Sequence, residues 1–464
     1  MRNLSGLLVL VLGIGESGLA MARWCARAGA RLRVADSRAN PPMLGALREA
    51  VPQAEVCTGG FDAALLDGVS LVAVSPGIDP RGPLLDEARA RGVGVVGEMT
   101  LFADALRALD ARRACRVVAI TGTNGKTTTT ALTAHLLRAA GQDAVAAGNI
   151  SPAALAVLAD RLEAGAPLPQ CWVLELSSFQ LETCEGLEAD AAVVLNVTDD
   201  HLDRHGSLDA YAAIKARVYD GDGVQVIARD DARVAAMARP GRRVTGFGAG
   251  VPGEGDFGLV THDGETWLAR GAERLLPQRA LPIAGRHNAL NALAALALGE
   301  AAGAPMGALL EGLASFRGLP HRVEPVARRA DGVVFYDDSK GTNVASTVAA
   351  VEGLGRPVVL IAGGDGKGQD FRPLAEVVAR HARAVVLIGR DAPRIAEALA
   401  AAGAASERAD TLEAAVARAD ALAQPGDAVL LSPACASLDM FRNYVHRAEV
   451  FVAAVRALPE VEAA

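Results

Sequence analysis

Of the 46 lysines and arginines in this 464-residue chain, only four are lysine: Lys126, Lys215, Lys340 and Lys367. Where a positive charge merely needs water the sequence uses arginine, so the four lysines mark places that want a compact point charge or a nucleophilic amine. Three lie in glycine-flanked or Ser/Thr-rich loops: Asn124-Gly125-Lys126-Thr127, Asp338-Ser339-Lys340-Gly341-Thr342 and Asp365-Gly366-Lys367-Gly368. Such loops bring a charge close to backbone and ligand. Lys215 differs, because Tyr211–Arg217 reads as a helix, where a solvated helix-face lysine is the ordinary alternative.

Val117–Ile120 reads as a strand that runs into Thr121-Gly122-Thr123-Asn124-Gly125-Lys126-Thr127 and then into an Ala/Leu-rich helix. Backbone N–H groups of such a loop cradle phosphates, Lys126 reaches the β/γ oxygens, and Thr127 places its hydroxyl on Mg²⁺. The loop is shorter than the usual Walker pattern, with Ile120 where the first glycine would stand. It predicts an ATP site. A second loop, Gly13-Ile14-Gly15-Glu16-Ser17-Gly18, also joins a strand to a helix, and Asp36 stands where an acid meets a ribose in dinucleotide folds. Three readings of it stay open: an NAD-dependent oxidoreductase, another diphosphate at a helix N-terminus, or a tight turn without a ligand.

Short apolar runs alternating with helical stretches imply parallel α/β sheets. Leu7–Leu12, Leu32–Ala35 and Leu71–Val74 read as strands of a first sheet. Val117–Ile120, Trp172–Leu176 and Ala192–Asn196 belong to a second; Val358–Ala362, Ala384–Ile388 and Ala428–Leu431 belong to a third. Gly258–His262 and Glu265–Arg270 flank Asp263-Gly264, a hairpin signal. The length calls for about three domains, with boundaries near Gly97 and Gly318. A net charge of −8 argues against broad nucleic-acid binding. The six cysteines form no C-x-x-C pair, so reduced thiols are expected rather than a zinc cage or disulfides. No apolar run reaches the ~18 residues of a membrane helix. A soluble, cytoplasmic monomer is expected.

Further segments carry a resemblance: Glu175-Leu176-Ser177-Ser178-Phe179-Gln180, Asn196–Arg204, Gly285-Arg286-His287-Asn288, Leu319-Pro320-His321-Arg322, Gly363–Lys367 and Ser432–Asp439. With the loop at 121–127, they make the chain similar to the Mur ligases over nearly its whole length. Order and spacing agree best with the branch that adds D-glutamate to UDP-N-acetylmuramoyl-L-alanine. A Mur ligase adding another amino acid is the nearest alternative. The resemblance implies an N-terminal Rossmann-like UDP domain (1–97), a central P-loop-type ATPase domain with a mostly parallel sheet (98–318) and a C-terminal Rossmann-like amino-acid domain (319–464).

The resemblance also implies roles. Gly15, Glu16, Ser17, Ser37, Arg38, Gly77, Asn149 and Ser178 would bind the UDP-linked substrate. Gly122, Thr123, Asn124, Gly125, Lys126, Thr127, Thr128, Asn288, Arg322 and Asp338 would bind ATP. Thr127 and Glu175 would hold one Mg²⁺; His201 and Lys215, the latter carbamylated by CO₂, would hold a second. Lys126, Glu175, His201 and Lys215 would be the catalytic set. Lys340, Thr342, Lys367, Ser437, Leu438 and Tyr444 would bind glutamate. His205 matches no ligand of the family and reads as a surface histidine, and Leu319-Pro320 as a hinge.

Overall fold

The computed structural model describes residues 3–283 and 285–463. The chain falls into two compact units, Met1–Leu276 with Ala292–Leu313, and Pro277–Asn291 with Ala314–Ala464. Among the described residues no helix is long and apolar enough to cross a membrane.

The first unit carries two sheets. One holds β1 (Leu8–Leu12), β2 (Arg31–Asp36), β3 (Glu55–Thr58), β4 (Leu71–Val74) and β5 (Gly94–Val96) in the order β3-β2-β1-β4-β5. All neighbours are parallel. Val9, Leu10 and Val11 are fully buried, as expected where helices cover both faces and leave no room for polar alternation. The strand order reverses between β1 and β4, and Gly13–Gly18 follows β1 at this switch point, where doubly wound sheets bind ligands.

The second sheet contains β6 (Arg116–Thr121), β7 (Ala144–Gly148), β8 (Cys171–Glu175), β9 (Ala191–Val194), β10 (Val224–Ala228), β11 (Val244–Phe247), β12 (Phe257–His262), β13 (Glu265–Arg270) and β14 (Glu273–Pro277). Its order is β14-β13-β12-β11-β10-β9-β6-β8-β7. β6 lies between β8 and β9, so the loop after it emerges at a second switch point. Register puts Ile120 beside Glu175 and Thr121 beside Val194. β12 and β13 form the expected hairpin, with His262 opposite Glu265. Asp263 and Gly264 take positive φ (50° and 76°), as a two-residue turn matching strand twist requires.

The second unit contains β15 (Glu324–Arg329), β16 (Val334–Asp337), β17 (Val358–Gly363), β18 (Ala382–Ile388), β19 (Glu407–Arg408), β20 (Ala428–Leu431) and β21 (Val461–Ala463), ordered β19-β18-β17-β20-β16-β15-β21. β15 runs antiparallel to both of its neighbours, β16 and β21, and the pairs from β16 to β19 are parallel. Val358, Leu360 and Leu430 bury into one apolar layer and Val359, Ile361 and Val429 into the other, so helices cover both faces. The adjacent strands β17, β20 and β16 lead into the segments that carry Lys367, Ser437 and Lys340.

The nine strands read from apolar runs are all present, with ends displaced by at most two residues. Gly97 lies between β5 and the helix Glu98–Ala108, and Leu319-Pro320 lies in the irregular segment that precedes β15.

Candidate active site

After Thr121 the chain turns at Gly122 (φ 150°), where a Cβ would come within 3.0 Å of Leu195. Gly125 (φ 84°) then caps the helix Lys126–Ala139. The first-turn amides of that helix lack intrahelical acceptors, which makes its N-terminus an anion site. Asn196, just past β9, holds the loop open: its Oδ1 accepts from Asn124 N (2.8 Å) and its Nδ2 donates to Asn124 O (3.1 Å). Thr123 is tied likewise, its Oγ1 accepting from Thr198 N at 3.0 Å. Asn196 and Thr198 carry no assigned role in the sequence reading, yet they shape the loop.

Lys126 Nζ donates to Gly122 O and Thr123 O, each at 2.9 Å. Lys215 Nζ reaches the same Gly122 O at 2.8 Å and sits 4.3 Å from the centroid of the Tyr211 ring. Its helix is Leu208–Ala216, as the sequence suggested, but the residue is only 1% exposed, so the solvated alternative is excluded. Burial, followed by the neighbouring Lys126 charge, holds its amine well below the usual lysine range against the opposing pull of Asp200.

Glu175 closes β8 and is 1% exposed. Its Oε1 accepts from Asn149 Nδ2 at 2.6 Å, while its buried Oε2 has no hydrogen-bond partner among the described residues. A buried carboxylate oxygen left without a donor costs several kcal/mol unless something positive meets it. With the Thr127 hydroxyl next to the phosphate loop, the donor set suits a hard divalent cation such as Mg²⁺. His201 has φ 53°, precedes the helix Leu202–His205, and lays its ring against Phe179 at 4.8 Å between centroids.

His205 is not a surface residue. It is 7% exposed, Nε2 lies 3.0 Å from Ser178 Oγ, and its ring stacks on Phe179. Burial pushes its pKa down. The single helical turn after His201 points its side chain inward, which a sequence without visible periodicity cannot indicate. The hydroxyl of Ser178 is thereby engaged with a histidine.

At the first glycine loop, a Cβ on Gly18 would fall 1.7 Å from Gly13 O, whereas one on Gly15 would face open space. Gly18 is there for packing; Gly15 leaves room for a ligand. Asp36 is 2% exposed: its Oδ2 accepts from Ile14 N (2.7 Å) and its two oxygens accept the fork of Arg38. The Arg38 guanidinium holds this carboxyl far below the usual range. Its acceptors are spent on the loop, so the ribose contact expected for NAD is not available. Ser37 and Gly77 are exposed at the same end of the sheet. Ser17 opens the same helix as Glu16, whose carboxylate turns away from the loop toward Ser151 and Ala153.

In the second unit Lys340 Nζ stands 4.0 Å from the centroid of the Tyr444 ring. Its loop is fixed from beneath by Arg447, 1% exposed, which donates to Ser339 Oγ (3.0 Å), Ser339 O (2.7 Å) and Cys435 O (3.1 Å). Arg447 was not singled out in the sequence, since arginine is the default cation there. His321, Glu324 and Asp337 also gather here, but His321 Nδ1 pairs with Asp337 Oδ2 at 2.7 Å and His321 N donates to Glu324. They hold the turn whose His321 O accepts from Lys340 N.

Asp338 is buried, accepts from Ser432 Oγ at 2.6 Å, and is pushed up to about 7 by desolvation, with Ser432 and Arg322 pulling the other way. Thr342 N donates to Lys340 O, and the Asp365–Ala436 bridge brings the loop of Lys367 beside the segment of Ser437. Lys367 is exposed with φ 51°; Ser437 is buried, and the neighbouring Leu438 is 73% exposed. Asn288 is buried and accepts from Asn291 Nδ2 at 3.2 Å.

Three family descriptions match successive parts of the chain: the N-terminal domain of MurD-like Mur ligases over residues 8–97, the Mur ligase middle domain over 120–299, and the Mur ligase glutamate ligase domain over 321–435. UDP-N-acetylmuramoylalanine–D-glutamate ligase of Aromatoleum aromaticum is 66% identical, with 100% of both chains covered. The ligase of the same name from Nitrosospira multiformis is 54% identical over 99% of this chain and 98% of its own. Among solved structures, the UDP-N-acetylmuramate-alanine ligase of Thermotoga maritima superposes with a TM-score of 0.60 at 19% identity, covering 97% of this chain and 99% of that one. MurF of Acinetobacter baumannii gives 0.59 at 21% identity over 87% of each chain. The two solved structures share the fold, and the end-to-end match to the curated ligases fixes the kinship: the chain belongs to the Mur ligase family.

Proposed function

We propose that this protein joins D-glutamate to UDP-N-acetylmuramoyl-L-alanine in an ATP-dependent amide ligation that supplies peptidoglycan precursors, in the cytoplasm and as a monomer. The observation that carries the chemistry is the phosphate loop with a second, buried lysine on its Gly122 carbonyl and a buried carboxylate oxygen of Glu175 beside its strand. A simple nucleotide-binding module has no use for either. The substrate assignment is supported by the full-length likeness to ligases of that name.

The L-alanine carboxylate attacks the γ-phosphorus of ATP, ADP leaves, and an acyl phosphate forms. The glutamate amine adds to the acyl carbon, phosphate departs, and the amine proton is lost as the amide forms. Lys126 neutralises the transferring phosphoryl group, and the first-turn amides at Lys126, Thr127 and Thr128 hold the phosphates, with Gly122, Thr123, Asn124 and Gly125 shaping the cradle. Thr127 and Glu175 would hold one Mg²⁺, and His201 with Lys215 a second; the ions supply charge neutralisation to the phosphates when bound. Lys215 serves as a carbamate, its neutral amine adding to CO₂ with release of one proton. Asn288, Arg322 and Asp338 bind the nucleotide, and Lys340, Thr342, Lys367, Ser437, Leu438 and Tyr444 receive glutamate.

We assign UDP binding to residues 1–97, ATP binding to 98–318 and amino-acid binding to 319–464, with Leu319-Pro320 as the hinge. Gly15, Ser17, Ser37, Arg38, Gly77 and Asn149 would bind the UDP-linked substrate, whereas Glu16, turned to Ser151 and Ala153, and Ser178, engaged with His205, would act through those contacts. Phosphate release with ATP, Mg²⁺ and UDP-N-acetylmuramoyl-L-alanine tests the reading. It is expected with D-glutamate and absent with L-glutamate, L-alanine or no amino acid. Release with another amino acid overturns the substrate assignment, and release with none overturns the ligase.

A further inference from the structure

The side chain of Glu16 lies in the diphosphate loop of the first sheet but does not face it. Its Oε1 accepts from Ser151 Oγ at 2.7 Å and from Ala153 N at 2.9 Å, both in the turn that joins β7 to the helix Ala154–Glu163. That turn is tight. Gly148 N donates to Pro152 O (2.9 Å), Ser151 N to Gly148 O (3.0 Å), and a Cβ on Gly148 would sit 2.5 Å from Glu175 O. Its remaining member, Asn149, donates its backbone N to Glu175 O at 2.9 Å and its Nδ2 to Glu175 Oε1 at 2.6 Å. A chain of hydrogen bonds therefore runs from the glycine loop, through Ser151 and Gly148 to Asn149, and on to the carboxylate whose other oxygen, Oε2, has no partner among the described residues.

We infer that Glu16 is a positioning residue for the metal carboxylate: through Ser151 and Ala153 it fixes the turn from which Asn149 engages Glu175 Oε1 and leaves Oε2 for the cation. The inference rests on the reading of Glu175 as a cation ligand. A second carboxyl meets the start of the same helix. Glu98, 2% exposed, accepts from Leu155 N at 3.2 Å, so the first turn of the helix Ala154–Glu163 is held by acids from two elements. Glu16 is exposed whereas Glu98 is buried, so Glu16 can be substituted without opening the core.

The test is Mn²⁺ titration of the full-length, ADP-saturated protein without UDP-linked substrate, with bound ion read from loss of the free-ion EPR signal. Glu16→Ala and Ser151→Ala are each expected to weaken Mn²⁺ binding about fivefold, the size of one or two charge-assisted hydrogen bonds reduced by exposure. Glu16→Gln, which keeps an accepting oxygen, is expected to stay within about twofold of wild type. Glu16 acting only on the diphosphate would alter the KM for UDP-linked substrate and leave Mn²⁺ affinity as in wild type. Equal affinity in wild type and Glu16→Ala, or no protein-dependent Mn²⁺ binding by wild type, overturns the inference. Failure of wild type to form the amide would instead overturn the ligase reading while the Mn²⁺ comparison still stood.

Discussion

Lys126 and Lys215 donate to one acceptor, the carbonyl oxygen of Gly122, at 2.9 and 2.8 Å. A carbonyl has two lone pairs and can serve both, but two ammonium groups this close repel each other. Burial already disfavours charge on Lys215, and the charge of Lys126 adds to it. The result is a neutral amine at a pH where an exposed lysine is protonated, and only a neutral amine adds to CO₂. A carbamate resonance in ¹³C NMR of protein equilibrated with ¹³C-bicarbonate is therefore expected. It should be absent in Lys215→Arg and fade as pH falls through the lowered pKa. Lys215→Ala should lose about 100-fold or more in turnover, partly restored by a small added carboxylate. No resonance and no rescue would remove the carbamate.

Glu98 gives a prediction about stability. Burial pushes its carboxyl from 4.5 up to about 7, against hydrogen bonds from Leu155 and Ser17. The folded state thus keeps a proton that the unfolded chain has released, so stability is lost as pH rises from about 4.5 through about 7. Glu98→Gln keeps the shape without the titration. Its Tm should exceed that of wild type at pH 8, by the equivalent of about 3 kcal/mol at most, with the gap narrowing toward pH 5. A pH-independent gap in thermal melts would show that Glu98 does not titrate in this range.

The apolar runs and glycine loops carried the sheets and the phosphate loop because those signals are local: strand period, turn residues and a helix start. Asp263-Gly264 needed nothing beyond its two positive φ values. The faces of Lys215, His205 and Glu16 were not legible, because each is set by a distant partner: Gly122 O, Ser178 Oγ, and Ser151 with Ala153. Asp36 shows the same limit. Its spacing from Gly18 fits a ribose contact, while the contacts it makes, to Ile14 and Arg38, exclude one. Lysine scarcity drew attention to four positions, one of which, Lys215, is buried against the glycine loop, but by the same logic it hid Arg447 among the ordinary arginines.

Arg447 is a buried cation with no salt bridge among the described residues; burial lowers its pKa to about 10. Its three hydrogen bonds go to Ser339 and Cys435, so its role is to brace the Lys340 loop. Arg447→Met removes the charge but leaves two buried carbonyls unsatisfied, a cost of about 1–3 kcal/mol each. The KM for D-glutamate should rise about tenfold or more, while that for ATP changes less than about twofold. Parallel rises in both would assign Arg447 to general stability.

Packing and hydroxyl chemistry can be separated at Tyr444. Lys340 Nζ lies 4.0 Å from the centroid of its ring, within the range in which an aromatic face attracts an ammonium. His321 meets the same ring edge-on at 6.0 Å, and Ser339 Oγ donates to Tyr444 O at 2.7 Å, so the backbone there is fixed independently of the phenol. The ring face meets the lysine, so loss of the hydroxyl alone is expected to matter little. Tyr444→Phe should leave the KM for D-glutamate within about twofold of wild type, whereas Tyr444→Leu should raise it about fivefold, the equivalent of a ~1 kcal/mol cation–π contact. The effect should appear in the KM for D-glutamate and leave that for ATP unchanged. An equal loss in the phenylalanine variant would place the hydroxyl in the glutamate site instead.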